Sequence, residues 1–335
     1  MIKPSGLTVG IGPHIHGGNT TSNLIYNQIG ALLPAAFAGM YVFGLKSIWV
    51  VFWSIASAIF FEYLMLKALK RPAATLLDGH AILTGLLLAM MLPADAPWWI
   101  ACMGSGIAIV IGKMLFGGMG CYPFNPALVG WIVMLVSYKD IINKFPRPNH
   151  EVWGGIAESL PAQTTLEILK RYGVDMAGHY NIIDLFLGYQ PGGLGAVAGL
   201  AITLGGLYLI IRKIIRWEIP VSFIAGLIAM SGIFWIVSPD RFASPLFHLV
   251  SGSTLLCIFF LAPDYSASPN TRWGRIIFGF GCGALAILIR IYGTYPNGSS
   301  RFAIMLMCLT IPLLDRIRPH IPGFAKPGKE AAADA

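Results

Sequence analysis

Apolar runs long enough to cross a membrane recur along this chain, and polar residues are confined to the gaps between them. The runs extend from about Ile25 to Phe43, from Ile48 to Leu66, through a third that closes at Leu92-Pro93, from Pro97 to Ile111, and through a fifth that reaches Ser137. Beyond a polar gap they resume from about Leu194 to Ile211, Pro220 to Val237, Phe247 to Leu261, Ile276 to Ile289 and Phe302 to Leu314. A spanning helix takes roughly 20 apolar residues, and lipid leaves backbone groups no partners except in helices or closed barrels. These runs are too long for barrel strands. The pattern therefore predicts an all-α membrane protein of about ten transmembrane helices. It divides into segments 1–24, 25–138, 139–193, 194–315 and 316–335, with 139–193 the only long hydrophilic interruption.

The two apolar halves echo each other. Thr84 to Pro93 corresponds to Thr254 to Pro263, Lys113 to Arg290, and Gly120-Cys121-Tyr122-Pro123 to Gly293-Thr294-Tyr295-Pro296, at offsets of about 170 to 177 residues. A repeat of this length is one structural unit used twice. If the unit has five spans, an odd number, its second copy crosses the other way, which predicts two inverted five-helix repeats. The short loops after the second, sixth and eighth runs and the C-terminal tail are basic, whereas those after the third and seventh carry Asp95 and Asp240. Positive loops stay cytoplasmic, so both termini are expected in the cytoplasm and residues 139–193 in the periplasm.

Composition agrees with this division: 56% of residues are hydrophobic and 11% charged, with a mean hydropathy of +0.70. The formal charge of +8 sits in short loops beside apolar runs, where it orients the chain and does not point to nucleic acid. No cleavable signal is expected before the first run, because residues 1 to 23 are polar and Gly-rich. The cysteines Cys102, Cys121, Cys257, Cys282 and Cys308 have no metal-ligand spacing, and His14 and His16 lack a companion ligand. Glu62 lies near the end of the second run, where Lys67 and Lys70 are expected to pair with it. Asp78, Asp95, Asp240 and Asp264 fall near run ends, which disfavours coupled cation transport through this chain alone.

Candidate chemistry concentrates in the polar gap. Thr164 offers a hydroxyl in a segment expected to be exposed, and also the N-cap of a short helix from Thr165 to Lys170. Gly12-Pro13-His14-Ile15-His16, Asp78-Gly79, Thr84-Gly85-Leu86-Leu87-Leu88, Leu92-Pro93, Gly117-Gly118-Met119-Gly120, Asn125-Pro126-Ala127 and Tyr295-Pro296 together resemble the NqrB/RnfD family, and in particular the RnfD branch found in ion-translocating Rnf electron-transport complexes. The resemblance covers about residues 10 to 320. It implies a urea-channel-like bundle and an FMN esterified to a Thr in the far-side loop. Glu158-Ser159-Leu160-Pro161-Ala162-Gln163-Thr164 is the stretch that aligns with the family's attachment pattern, making Thr164 the expected site and Thr165 the second choice.

The resemblance also implies a second, non-covalent flavin (riboflavin or FMN) within the bundle, for which Thr84, Gly117, Gly118, Tyr122, Asn125 and Thr254 are the candidate residues. The function it implies is electron transfer between ferredoxin and NAD, coupled to Na⁺ or H⁺ movement in the inner membrane. A chain of this kind works as one component of a translocase and is not active alone. Its partners would be iron–sulfur subunits, a second flavoprotein subunit, small membrane subunits and a flavin transferase. Two other readings stay open from the sequence: a non-redox solute channel on the same inverted repeat, and a scaffold for the complex without flavin.

Overall fold

The computed structural model describes residues 20–146, 163–174, 181–188, 190–196 and 198–317. His14, His16, the stretch Glu158 to Ala162 and the basic tail lie outside the described residues. In chain order the helices are α1 Thr21–Phe43, α2 Leu45–Ala68, α3 His80–Met91, α4 Trp98–Ile107, α5 Pro126–Ser137 and the short α6 Lys139–Ile142. In the polar gap follow α7 Thr165–Tyr172 and α8 Ile182–Leu187. The second half has α9 Gly199–Ile211, α10 Glu218–Val237, α11 Pro245–Val250, α12 Thr254–Leu256, α13 Arg272–Tyr292, α14 Ser299–Cys308 and α15 Ile311–Leu314. There is no strand among the described residues beyond an isolated bridge between Pro93 and Gly193. By length and composition α2, α10 and α13 suffice to cross a membrane, and α3, α4, α5 and α9 are shorter apolar helices.

The burial pattern is that of a protein solvated by lipid. Large apolar side chains point outward, with Trp49 60%, Leu204 60% and Ile236 76% exposed. Small residues face inward and let backbones meet, as helices do where lipid supplies no hydrophobic drive for association. α10 and α13 form the closest pair: a Cβ on Gly226 would collide with the carbonyl oxygen of Phe280, and one on Gly283 with that of Phe223. Substituting Gly283 with Leu should force these helices apart at a cost of about 1–3 kcal/mol or more. Thermal unfolding of the detergent-solubilised chain, compared with the permissive Gly232→Leu where open space surrounds the glycine, checks it.

Two helices depart from the continuous runs expected of them. α4 passes into a π-helical turn at Ala108–Met114. The eighth run is broken: α11 ends at Val250, Gly252 takes a left-handed φ of 66°, and a new helix starts at Thr254, turning π-helical at Cys257–Leu261. The break is held by Gln190, whose Nε2 donates to the carbonyls of Val250, Leu185 and Ala196 while its Oε1 accepts from Gly252 N. A fully buried amide thus supplies the partners that a continuous helix would have provided.

Loop contacts fall into two sets. At one end Ser22 bonds Asp78, Arg71 bonds the Gly117 carbonyl, Tyr122 and Asn125 bond Asp264, and Tyr265 bonds the Ile214 carbonyl. At the other, Leu194 N donates to the Leu92 carbonyl, Lys139 lies over the Tyr295 ring, and α7 reaches Gly293 and Asn297. The polar gap is not a free loop in its described parts, because Leu166 of α7 and Leu185 of α8 bury themselves against Ala243 and Phe247.

Candidate functional site

Thr164 occupies the N-cap of α7, as its position before Thr165-Leu166-Glu167 leads one to expect. Its Oγ1 accepts from Glu167 N at 3.3 Å, and the Glu167 carboxylate accepts from Thr164 N at 3.4 Å, a reciprocal capping box. The same hydroxyl donates to Asn297 Oδ1 at 2.6 Å, and Asn297 Nδ2 donates to Glu167 Oε1. The expected exposure is corrected here: Thr164 is 3% exposed, because α7 docks on the start of the last helical segment. Thr165 is also buried and donates to Gln190. Burial raises the Glu167 carboxyl above its ordinary range, against the hydrogen bonds from Thr164 N and Asn297 and the charge of Arg171, which favour its ionised form. Glu167→Ala removes half of the box and should lower stability by about 1 kcal/mol, with Glu167→Gln close to neutral, measured by thermal unfolding.

The six residues expected to frame a second flavin do not come together. Thr84, Tyr122 and Asn125 do, lining a cavity with His80, Gln28, Asp264 and Tyr265. Tyr122 donates to Asp264 Oδ1 at 3.0 Å, Asn125 Nδ2 donates to its other oxygen at 2.8 Å, and His80 Nε2 meets the Tyr122 hydroxyl at 3.0 Å. His80 Nδ1 lies 3.2 Å from Thr84 Oγ1, which itself donates to the His80 carbonyl at 2.9 Å. The cavity measures about 30 Å³, the room of one water. A pocket for a drug-sized ligand takes roughly 300 Å³ or more, so the cavity as it stands is smaller than a flavin needs. Gly117 and Gly118 serve a turn held by Arg71, and Thr254 belongs to another cluster.

Sequence reasoning misses two buried charge clusters. Glu62 pairs with Lys113, not with Lys67 or Lys70: Nζ and Oε1 are 2.6 Å apart and both side chains are almost fully enclosed. The repeat sets Lys113 against Arg290, but gives no hint that an acid 51 residues earlier faces it. In the second half Arg290 donates to the His248 carbonyl, to Ser299 Oγ and to Thr254 Oγ1, while Arg301 donates to Ser253 Oγ and lies over the Trp131 ring at 4.4 Å. Among the described residues neither arginine meets a carboxylate.

An all-helical chain with lipid-like outer faces, charges enclosed within the bundle and polar loops gathered at two ends is a multi-pass membrane protein. The chain belongs to the NQR2, RnfD, RnfE family, whose model matches residues 8–323. It is similar to the D subunit of the ion-translocating oxidoreductase complex of Stutzerimonas stutzeri, with 38% identity covering 90% of this chain and 92% of the relative. To the D subunit of the Na⁺-translocating ferredoxin:NAD⁺ oxidoreductase complex of Acetobacterium woodii it is 38% identical over 98% of each chain. The corresponding protein of Cronobacter sakazakii is 35% identical over 93% of this chain and 97% of the relative.

Proposed function

We propose that this chain is the membrane flavoprotein subunit of an Rnf-type complex, carrying FMN esterified to Thr164 and passing electrons between ferredoxin and NAD, coupled to Na⁺ or H⁺ movement. The observation that carries the reading is the similarity, along nearly the whole chain, to proteins named for an ion-translocating oxidoreductase and in one case for the ferredoxin:NAD⁺ reaction. Rnf-type partners follow from it: iron–sulfur subunits, a second flavoprotein and small membrane subunits, together with a flavin transferase. The alternation of loop contacts between two ends supports ten consecutive crossings in two inverted five-helix units. With both termini cytoplasmic in the inner membrane, α7 faces the periplasm.

Two features around Thr164 suit an esterified phosphate: its hydroxyl stands on a helix N-cap, and the first-turn N–H groups of α7 lie beside it. A flavin held there supplies the redox chemistry, and the chain supplies position and electrostatics. Thr164 gives the ester oxygen, the Glu167 N–H fixes its direction, and the packing of Leu166 against Phe247 keeps α7 on the bundle. Because both hydroxyl candidates are buried once α7 has docked, attachment requires α7 to be undocked or not yet docked when the transferase acts. Mass spectrometry of the peptide from Gly155 to Lys170, taken from native membranes, tests the reading. A mass increase of FMN less water is expected, and an unmodified peptide overturns it.

A further inference from the structure

The N-terminal turn of α14 is buried and lacks an ordinary cap. Its cap residue Gly298 contributes no side-chain bond, and the next three residues, Ser299, Ser300 and Arg301, are each 3% exposed or less. Among the described residues the Ser300 hydroxyl and Arg301 Nε find no hydrogen-bond partner, and Trp131 Nε1, on the ring stacked against Arg301, finds none either. Arg290 adds a second guanidinium, donating to Ser299 Oγ at 3.2 Å. An enclosed charge without a counter-ion is strongly unfavourable within a membrane, and here two cations flank the turn that opens α14. In the other half Lys113 is balanced by Glu62. The two arginines face no such carboxylate among the described residues, and anion donors surround them.

We propose that Ser300 Oγ and Arg301 Nε, with Arg290 beside them, form a receptor for a phosphate-class oxyanion. The unpartnered donors suit an oxyanion: a guanidinium N–H and a hydroxyl, with the positive charge of a second guanidinium alongside. Position indicates the source. Asn297 touches Thr164 Oγ1 and stands only two residues before Ser299, a stretch of chain that spans at most about 7 Å. On the function proposed above, the occupant is the phosphoryl group esterified to Thr164. A phospholipid headgroup offers the same chemistry from the bilayer.

The test uses the full-length chain in detergent, stripped of lipid, with Thr164→Ala to remove any tethered phosphate. Inorganic phosphate is titrated against chloride at constant ionic strength and thermal unfolding is followed. A saturable upward shift is expected in Thr164→Ala. Ser300→Ala, which removes a hydroxyl that bonds to nothing and so leaves the fold intact, should raise the half-saturating concentration about tenfold. Arg301→Gln should abolish the response and Arg301→Lys restore part of it. A wild-type chain that carries flavin and ignores phosphate identifies the tethered group as occupant. If the wild-type peptide is unmodified yet both chains respond alike, the flavin reading fails and the receptor stands. Co-purified phospholipid lost in Ser300→Ala assigns the site to a headgroup. No shift in delipidated Thr164→Ala, or an equal shift in Ser300→Ala and Arg301→Gln, overturns the proposal.

Discussion

Thr164→Ala should yield a chain that inserts and assembles but carries no flavin through denaturation, read as complete loss of in-gel flavin fluorescence. The structural cost is that of a helix cap and of one buried hydrogen bond to Asn297, about 1–3 kcal/mol, confined to the start of a single short helix. The fold is therefore retained, and failure of electron transfer in the variant reports on the cofactor. Thr165→Ala is the matched control. Its hydroxyl bonds Gln190 in the interior of the loop and should leave the fluorescence unchanged. The reverse pattern moves the attachment one residue along, and fluorescence in both variants places it elsewhere. A wild-type band without fluorescence contradicts covalent attachment altogether.

The second large effect is expected at the buried ion pair. Lys113→Met leaves the Glu62 carboxylate enclosed with no cation, and its Oε2 already lacks a hydrogen-bond partner among the described residues. Removing one member of a buried pair typically costs about 3–5 kcal/mol, whereas replacing both members by apolar residues of similar volume is often neutral. Lys113→Met should thus collapse the yield of folded protein from membranes, and Glu62→Leu combined with Lys113→Met should recover most of it. The recovered double variant also separates structure from transport: if it folds but no longer supports cation movement by the assembled complex, the pair contributes to translocation. If the single variant is as stable as wild type, the pair is not enclosed as described.

Helix content and location are legible in the sequence because hydropathy reports on lipid contact directly: the ten runs each correspond to a helix or a helical pair, from Ile25 in α1 to Leu314 in α15. Hydropathy does not report which residues meet across helices. Proximity along the chain pairs Glu62 with nearby lysines, yet Lys67 and Lys70 lie at and past the end of α2 while Lys113 faces Glu62 from the π-helical turn after α4. The interruption at Gly252 is equally hidden, since Phe247 to Leu261 reads as one apolar run and the break depends on a glutamine from the polar gap. At the candidate site, the cap and the helix after Thr164 are readable from Thr, Glu and their spacing. The burial of Thr164 is not, because it follows from Asn297, 133 residues away. The repeat is visible as an echo of Thr84 in Thr254, but the two threonines have different partners, His80 in one case and Arg290 in the other.

The described contacts of α7 lie with one half of the bundle: Lys170 holds the Gly293 carbonyl, Thr164 and Glu167 hold Asn297, and Leu166 rests on Phe247 and Gly252. The helix is thereby moored to the half of the chain that follows it in sequence. Whatever Thr164 carries is tied, through Asn297, to the stretch that also holds Arg290 by way of Ser299.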